Sequence, residues 1–331
     1  MTGQQSDRSG KRIIAVAEIG VNYIFHLVAC ARVGFDSNYA DRYQDSVAAD
    51  DLAFLKNHGD RLTFGGGSGG DLVDILIGMP ACLRLNSKSD FERYYAHLLE
   101  GCARDNFAGF LTDFAEPIRK LKDWWSAPDN QGLRQLIPHR EIIGGLGEIT
   151  LRNYDTHVTS VWPVERPKLE RVASRINDAF DRIDRIGQWE KLVGRIFKYD
   201  AYNIVLCSAI QNGPNANSIG YDRVVFYHDW NIRETLEFIS HEVGTHLLID
   251  DLKRALALNR YEFPALYEAY ECLAYHYNAR LLGEDRLTYH RRMHNFRLDG
   301  YLTTYGGIHD RDPEIDAYDL LLSGLKIMAR E

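Results

Sequence analysis

Two histidines and a glutamate lie close enough in the chain to form a metal site. His241, Glu242 and His246 form the pattern H-E-x-x-x-H, which is one residue longer than the zinc-binding signature H-E-x-x-H. Two imidazoles hold Zn²⁺ at about 2.0–2.1 Å, and an adjacent carboxylate can take a proton from the metal-bound water. The pattern therefore predicts Zn²⁺ as the cofactor, His241 and His246 as ligands and Glu242 as the general base.

The five-residue separation of the histidines constrains the helix that carries them. Side chains five positions apart on a regular α-helix point about 140° away from each other. A π-bulge would bring them together, and Gly244 between them lowers the cost of such a distortion. A cap at Asn231 and the absence of proline predict a helix over 232–257. Asp250, one turn after His246, could orient a ligating imidazole, or it could belong to a solvated acidic helix end.

The third zinc ligand is expected on the following helix. Pro264 stands near the start of that helix, whose apolar side chains occur on two faces. A carboxylate among them needs a partner, and a metal ion would supply one. Glu268 is the preferred ligand and Glu271, one turn later, is the alternative. Either glutamate could instead form a salt bridge or lie at the surface.

These segments resemble a family of zinc peptidases. His241-Glu-Val-Gly-Thr-His246, followed by Leu266-Tyr-Glu268, is similar to the H-E-[IV]-G-T-H motif and the later Gln-Glu-Gly-Leu segment of the tyrosine carboxypeptidases that trim tubulin tails and of their bacterial relatives. The likeness is local, over residues 230–285. Dipeptidyl peptidase III is less similar. Both families are gluzincins, so the resemblance implies two histidines and Glu268 as ligands, Glu242 as base, and carboxypeptidase action on a peptide.

A small sheet is expected before the metal helix. Residues 203–210 and 223–227 are β-rich and are separated by a run of turn-forming residues. An edge strand at this place could pair with an extended peptide substrate. Asn215, Asn217 and Ser218 are the candidate substrate-binding residues, although a polar turn explains them equally well.

The region after residue 285 contains several side chains that could stabilise an oxyanion. Tyr305 is the preferred candidate because Gly306 and Gly307 follow it. The others are Tyr289, His290, His294, Tyr301 and His309. Arg291, Arg292 and Arg297 could bind the carboxylate of a peptide substrate, or they could form a solvated basic face.

Composition narrows the class of protein. With 45% hydrophobic and 26% charged residues, the 331-residue chain can bury a sizeable core. A net charge of −8 indicates no nucleic-acid partner. Five scattered cysteines are typical of reduced thiols, and polar residues interrupt the apolar stretch near the N-terminus. We therefore expect a cytoplasmic protein with no membrane partner.

The remaining pattern predicts a mostly helical α+β fold. Residues 13–34 read as a buried or amphipathic helix, and further helices are expected over 49–58, 91–104, 113–125, 169–186 and 188–197. Glycines, β-rich pieces and two prolines predict an irregular border over 140–167. We therefore predict a helical N-terminal region, 1–165, and a zincin-like domain, 166–331, with a small sheet and an active-site helix.

The function predicted from the sequence is zinc-dependent hydrolysis of a peptide or peptide-like amide. The alternative enzyme is a helical non-haem iron or di-iron oxygenase, because Glu242 and His246 have the i, i+4 spacing of metal ligands on a helix. A non-catalytic binding protein with both histidines packed in its core is the third possibility.

Overall fold

A computed structural model of the chain describes residues 10–63, 70–211, 216–228, 231–283, 287 and 296–329. The fold is mostly helical α+β, which confirms the predicted class. Its strands are β1 (Arg12–Ala17), β2 (Ala201–Cys207), β3 (Ala216–Ser218) and β4 (Arg223–Tyr227). Its helices are α1 (Ile19–Cys30), α2 (Asn38–Tyr43), α3 (Ala49–Asn57), α4 (Gly59–Leu62), α5 (Met79–Cys82), α6 (Lys88–Arg104), α7 (Ala108–Asp113), α8 (Ala115–Trp124), α9 (Asn130–Leu133), α10 (Arg140–Thr156), α11 (Trp162–Phe180), α12 (Arg185–Val193), α13 (Ile232–Ala257), α14 (Phe263–Leu282), α15 (Leu298–Arg311) and α16 (Ala317–Met328).

The four strands form one mixed sheet in the order β1-β2-β4-β3. β2 and β4 are parallel, with Val205 opposite Val225, and β3 runs antiparallel to β4. Every residue of β4 is buried, as are the last four of β2, which is typical of strands covered on both faces. The two predicted β-rich runs are thus confirmed as β2 and β4.

The first element differs from its prediction. Residues 13–34 do not form one helix, because β1 occupies Arg12–Ala17 and α1 begins only at Ile19. Ile13 and Ala15 are the buried residues of β1, which gives the alternation of a strand. All residues of α1 from Gly20 to Cys30 are buried. A continuous apolar run of this kind fits a strand or a helix equally well, so periodicity could not separate the two elements.

The expectation that residues 140–167 are not helical is also wrong, while a domain border there stays a prediction. The chain is helical there: α10 leads through a π-helical turn, His157–Val161, directly into α11. Pro163 and Pro167 lie in α11, just after that turn. Proline lacks an N–H and clashes with the preceding turn of a regular helix. A π-turn widens the helix locally, so Pro163, two residues after it, need not end the helix; nothing in the structure explains how Pro167 is accommodated.

The chain divides into two compact units, each built from separate segments. The first contains residues 1–13, 176–202 and 230–331, and the second contains residues 14–175 and 203–229. The domain boundary between 165 and 166 stays a prediction. All five cysteines are buried and free of disulfide bonds. Within the described ranges, no helix has both the length and the apolar character needed to cross a membrane.

Candidate metal centre

Helix α13 carries the H-E-x-x-x-H motif. Its bounds, Ile232–Ala257, are those predicted, and the Asn231 side chain caps it by accepting a hydrogen bond of 2.9 Å from the Arg233 backbone N–H. The predicted π-bulge is wrong: all 26 residues of α13 are in α-helical conformation. A regular helix directs His241 and His246 about 140° apart, so the motif alone does not bring the two rings together.

Gly244 provides space for a tryptophan and leaves the helix undistorted. A Cβ atom at this position would lie 2.3 Å from Cη2 of Trp189, a fully buried residue of α12. The Trp189 Nε1–H donates to Ser240 Oγ at 3.0 Å, and the Ser240 hydroxyl donates to Asn278 Oδ1 at 2.7 Å. This chain of hydrogen bonds holds α12, α13 and α14 together beside the motif.

His241 meets a glutamate of the next helix. Its Nε2 lies 3.1 Å from Oε2 of Glu271 on α14, and the His241 side chain is only 1% exposed. The Tyr267 hydroxyl donates a hydrogen bond to the same carboxylate. Tyr267 and Glu271 are one turn apart on α14, so they share a face of that helix. The structure thus brings together His241 and Glu271, the alternative third ligand.

Glu242 adds a second carboxyl group to this place. Burial of the carboxyl and the negative charge of Glu271 raise the pKa of Glu242 well above its ordinary value. The charge of Glu271, reinforced by burial and their shared hydrogen bond, likewise raises the pKa of the Tyr267 hydroxyl. We name His241, Glu242, Tyr267 and Glu271 the carboxylate cluster. It concentrates negative charge around the buried His241 ring, with the two carboxyl groups half-buried and Tyr267 exposed, and a cation would stabilise that charge.

His246 has different neighbours. Its ring is fully buried, and Nε2 lies 3.3 Å from the hydroxyl oxygen of Tyr202 on β2. The two rings also pack edge to face, with centroids 4.8 Å apart. The described contacts of His246 therefore place it against β2, whereas His241 contacts α14.

Glu268 is engaged by an arginine. Its Oε1 accepts a hydrogen bond of 2.6 Å from the Arg297 backbone N–H, and its Oε2 lies 3.2 Å from Arg297 Nε. Arg297, a candidate for binding a substrate carboxylate, is thus paired with Glu268, the preferred third ligand. The structure does not bring Glu268 to His241.

The other predicted site residues lie elsewhere. Tyr305 is fully buried on α15, and its hydroxyl donates to the Ala269 carbonyl oxygen at 2.9 Å. Asp250 is exposed and pairs with Lys198 at 3.0 Å. Asn217 and Ser218 are half-buried on the edge strand β3, which belongs to the second compact unit. Asn215 lies outside the described residues.

Sequence reasoning missed three residues of this region that the structure supplies. Tyr267 follows the i, i+4 rule relative to Glu271 and could have been found by that spacing. Tyr202 and Trp189 are distant in the chain, and no local signal connects them to the motif. Among the described residues, no three His, Cys, Asp or Glu side chains are arranged to hold a metal ion together.

Comparison with known proteins gives no family for this chain. We found no matching family model, no matching curated protein and no matching solved structure. The carboxylate cluster and the local motif resemblance are therefore the features of the chain that bear on its function.

Proposed function

We propose that the protein hydrolyses a peptide or peptide-like amide with the help of a zinc ion held at the carboxylate cluster. The 3.1 Å separation of His241 Nε2 and Glu271 Oε2 supports this proposal most directly. Two ligand atoms at about 2.0–2.1 Å from a tetrahedral zinc ion lie about 3.3 Å apart. An imidazole nitrogen and a carboxylate oxygen are also donors that zinc accepts, so this pair fits the ion.

Each residue of the cluster has a role in the proposal. His241 and Glu271 would hold zinc, which supplies a Lewis acid that polarises the amide carbonyl and acidifies water. Glu242 is the general base: its carboxyl group accepts the proton of the attacking water and delivers it to the leaving amine. Tyr267 orients Glu271 through its hydrogen bond, as residues that hydrogen-bond to a metal ligand commonly do.

The motif predicts His246 as the third zinc ligand, although its ring contacts the Tyr202 hydroxyl in the structure. A site that uses both histidines requires a change in α13 between them, because a regular helix keeps them apart. The Trp189 ring against Gly244 opposes such a change. Glu268 is not part of the proposal, since Arg297 occupies its carboxylate.

The substrate class comes from the motif resemblance alone. It favours removal of a C-terminal residue from a peptide. The acidic net charge and the scattered cysteines, not the motif, favour a cytoplasmic enzyme with no nucleic-acid or membrane partner. Asn217 and Ser218, on the edge strand β3, stay substrate-binding predictions made from the sequence alone.

The test compares the wild-type protein with Glu242→Gln on a mixture of peptides. Each peptide is offered with a free C-terminus and as its C-terminal amide, and products are identified by mass spectrometry. Glu242→Gln should keep its zinc but lose hydrolysis by about a hundredfold to ten-thousandfold. Glu314→Gln, a substitution of an exposed carboxylate, is the matched control and should remain active. Undiminished hydrolysis by Glu242→Gln would remove the base assignment.

One observation supports each of the two alternative functions, the iron oxygenase and the binding protein. Two carboxylates and one imidazole from neighbouring helices are also donors that iron accepts, which favours the non-haem iron or di-iron oxygenase. The hydrogen bond between His241 and Glu271 can equally stabilise a core with no metal, which favours a non-catalytic binding protein. Metal analysis of the purified protein distinguishes zinc, iron and neither.

A further inference from the structure

A basic cavity lies within the second compact unit, and its described lining residues include none of the carboxylate cluster. It has a volume of about 610 Å³, within the range of small-molecule sites. Four cationic side chains line it: Arg42, Lys168, Arg171 and Arg175. The only acidic residue among the described lining residues is Glu165. This excess of positive charge stands out in a chain whose net charge is −8.

Glu165 orients two of these cations. Its side chain is 3% exposed, and its Oε1 accepts hydrogen bonds from Lys168 Nζ at 2.7 Å and from Tyr43 Oη at 2.5 Å. Arg42 Nη1 lies 3.7 Å from the same oxygen. Burial would raise the pKa of Glu165, but these hydrogen bonds outweigh burial and lower it, so the carboxylate stays charged. Lys168 and Arg42 are thereby held at the cavity wall.

Arg171 and Arg175 carry the uncompensated charge. They are one turn apart on α11, and like charges at this spacing disfavour a helix. Neither guanidinium forms an ion pair with any residue of the described part of the chain. A bound anion would relieve their repulsion, and each planar guanidinium matches two oxygens of a phosphate.

The lining also contains uncharged polar groups. Asn38 and Gln211 add carboxamides, which can donate to and accept from hydroxyl groups. We infer that this cavity binds a phosphorylated small molecule that carries hydroxyl groups, with Arg171 and Arg175 on its phosphate. This site is independent of the proposed amide hydrolysis.

Isothermal titration of the whole protein tests the inference with glucose 6-phosphate, glucose, inorganic phosphate and pyrophosphate as probes. We expect glucose 6-phosphate to bind and glucose not to bind. Arg171→Gln and Arg175→Gln should each weaken binding by about tenfold or more. Arg166→Gln is the matched control, because it removes one charge from an exposed position of the same helix outside the cavity.

Several results would overturn the inference. Binding of inorganic phosphate and pyrophosphate but not of the sugar phosphate would leave a plain anion site and remove the hydroxyl-bearing ligand. If Arg166→Gln and Arg171→Gln weaken the binding of glucose 6-phosphate equally, the attraction is general electrostatics. Binding that disappears at physiological salt would indicate the same. Binding of tetraglutamate in preference to every phosphate would indicate an acidic peptide. Because a zinc ion could also attract phosphate, His241→Ala is tested in parallel and should bind the sugar phosphate normally.

Discussion

At the scale of single residues, the dominant feature is the closeness of two carboxyl groups to one buried imidazole. Glu242 and Glu271 repel each other when both are ionised, and burial of Glu242 adds to that cost. His241 and the Tyr267 hydroxyl form hydrogen bonds with Glu271. The negative charge that remains is available to a cation, so protonation of Glu242 and metal binding should be mutually exclusive ways of stabilising the cluster.

The raised pKa of Glu242 gives a pH prediction for the metal-free protein. Between the ordinary carboxyl pKa and the raised one, the folded protein holds a proton that the unfolded chain releases. The free energy of unfolding contributed by Glu242 therefore falls as the pH rises through this window. Glu242→Gln removes this contribution, so the variant should gain stability relative to the wild type as the pH increases.

Urea denaturation of metal-free wild type and Glu242→Gln, at several pH values from 4 to about 8, measures this difference. Glu314→Gln serves as the control, and its stability relative to wild type should change little with pH. A stability difference between Glu242→Gln and wild type that shrinks with rising pH would contradict the account.

At the scale of elements, α13 shows which features a sequence can predict. Its bounds follow from local signals: a capping Asn231, no proline inside and apolar residues at helical spacing. The absence of a π-bulge inside α13 could not be predicted from local signals, because Gly244 is also compatible with a bulge. The deciding contact is with Trp189 on α12, whose approach depends on tertiary packing. The third donor was similarly undetermined, since Glu268 and Glu271 lie one turn apart on α14. Their roles are separated by long-range contacts, of Arg297 with Glu268 and of His241 with Glu271.

Gly244→Ala tests this packing. Alanine normally favours a helix over glycine by about 1 kcal/mol, but its Cβ would lie 2.3 Å from the buried Trp189 ring. We expect overpacking to prevail and the free energy of unfolding to fall by about 1–3 kcal/mol.

Gly306→Ala is the matched control for this substitution. Gly306 lies inside α15, and a Cβ there would have no neighbour within 4 Å. We expect this variant to gain about 0.5–1 kcal/mol. Thermal or urea unfolding measures both variants, and a stabilised Gly244→Ala protein would show that the Trp189 contact does not constrain α13.

At the scale of the whole molecule, composition and periodicity were enough to predict a mostly helical α+β fold with a small sheet. They could not predict the two compact units, because each unit combines segments that are distant in the chain. The parallel pairing of β2 with β4 and the strand β1 beside β2 are likewise long-range features. The basic cavity also escaped sequence reasoning, since its cations come from α2 and α11 and are diluted by an acidic total charge.

The central claim is that His241 and Glu271 hold a zinc ion. The most direct measurement is the metal content and zinc affinity of three proteins purified without chelator: wild type, Glu271→Gln and Glu268→Gln. We predict one zinc per chain in the wild type and in Glu268→Gln, and an affinity weaker by more than about tenfold in Glu271→Gln. A wild-type protein without zinc, or zinc retained by Glu271→Gln and lost from Glu268→Gln, would contradict the claim.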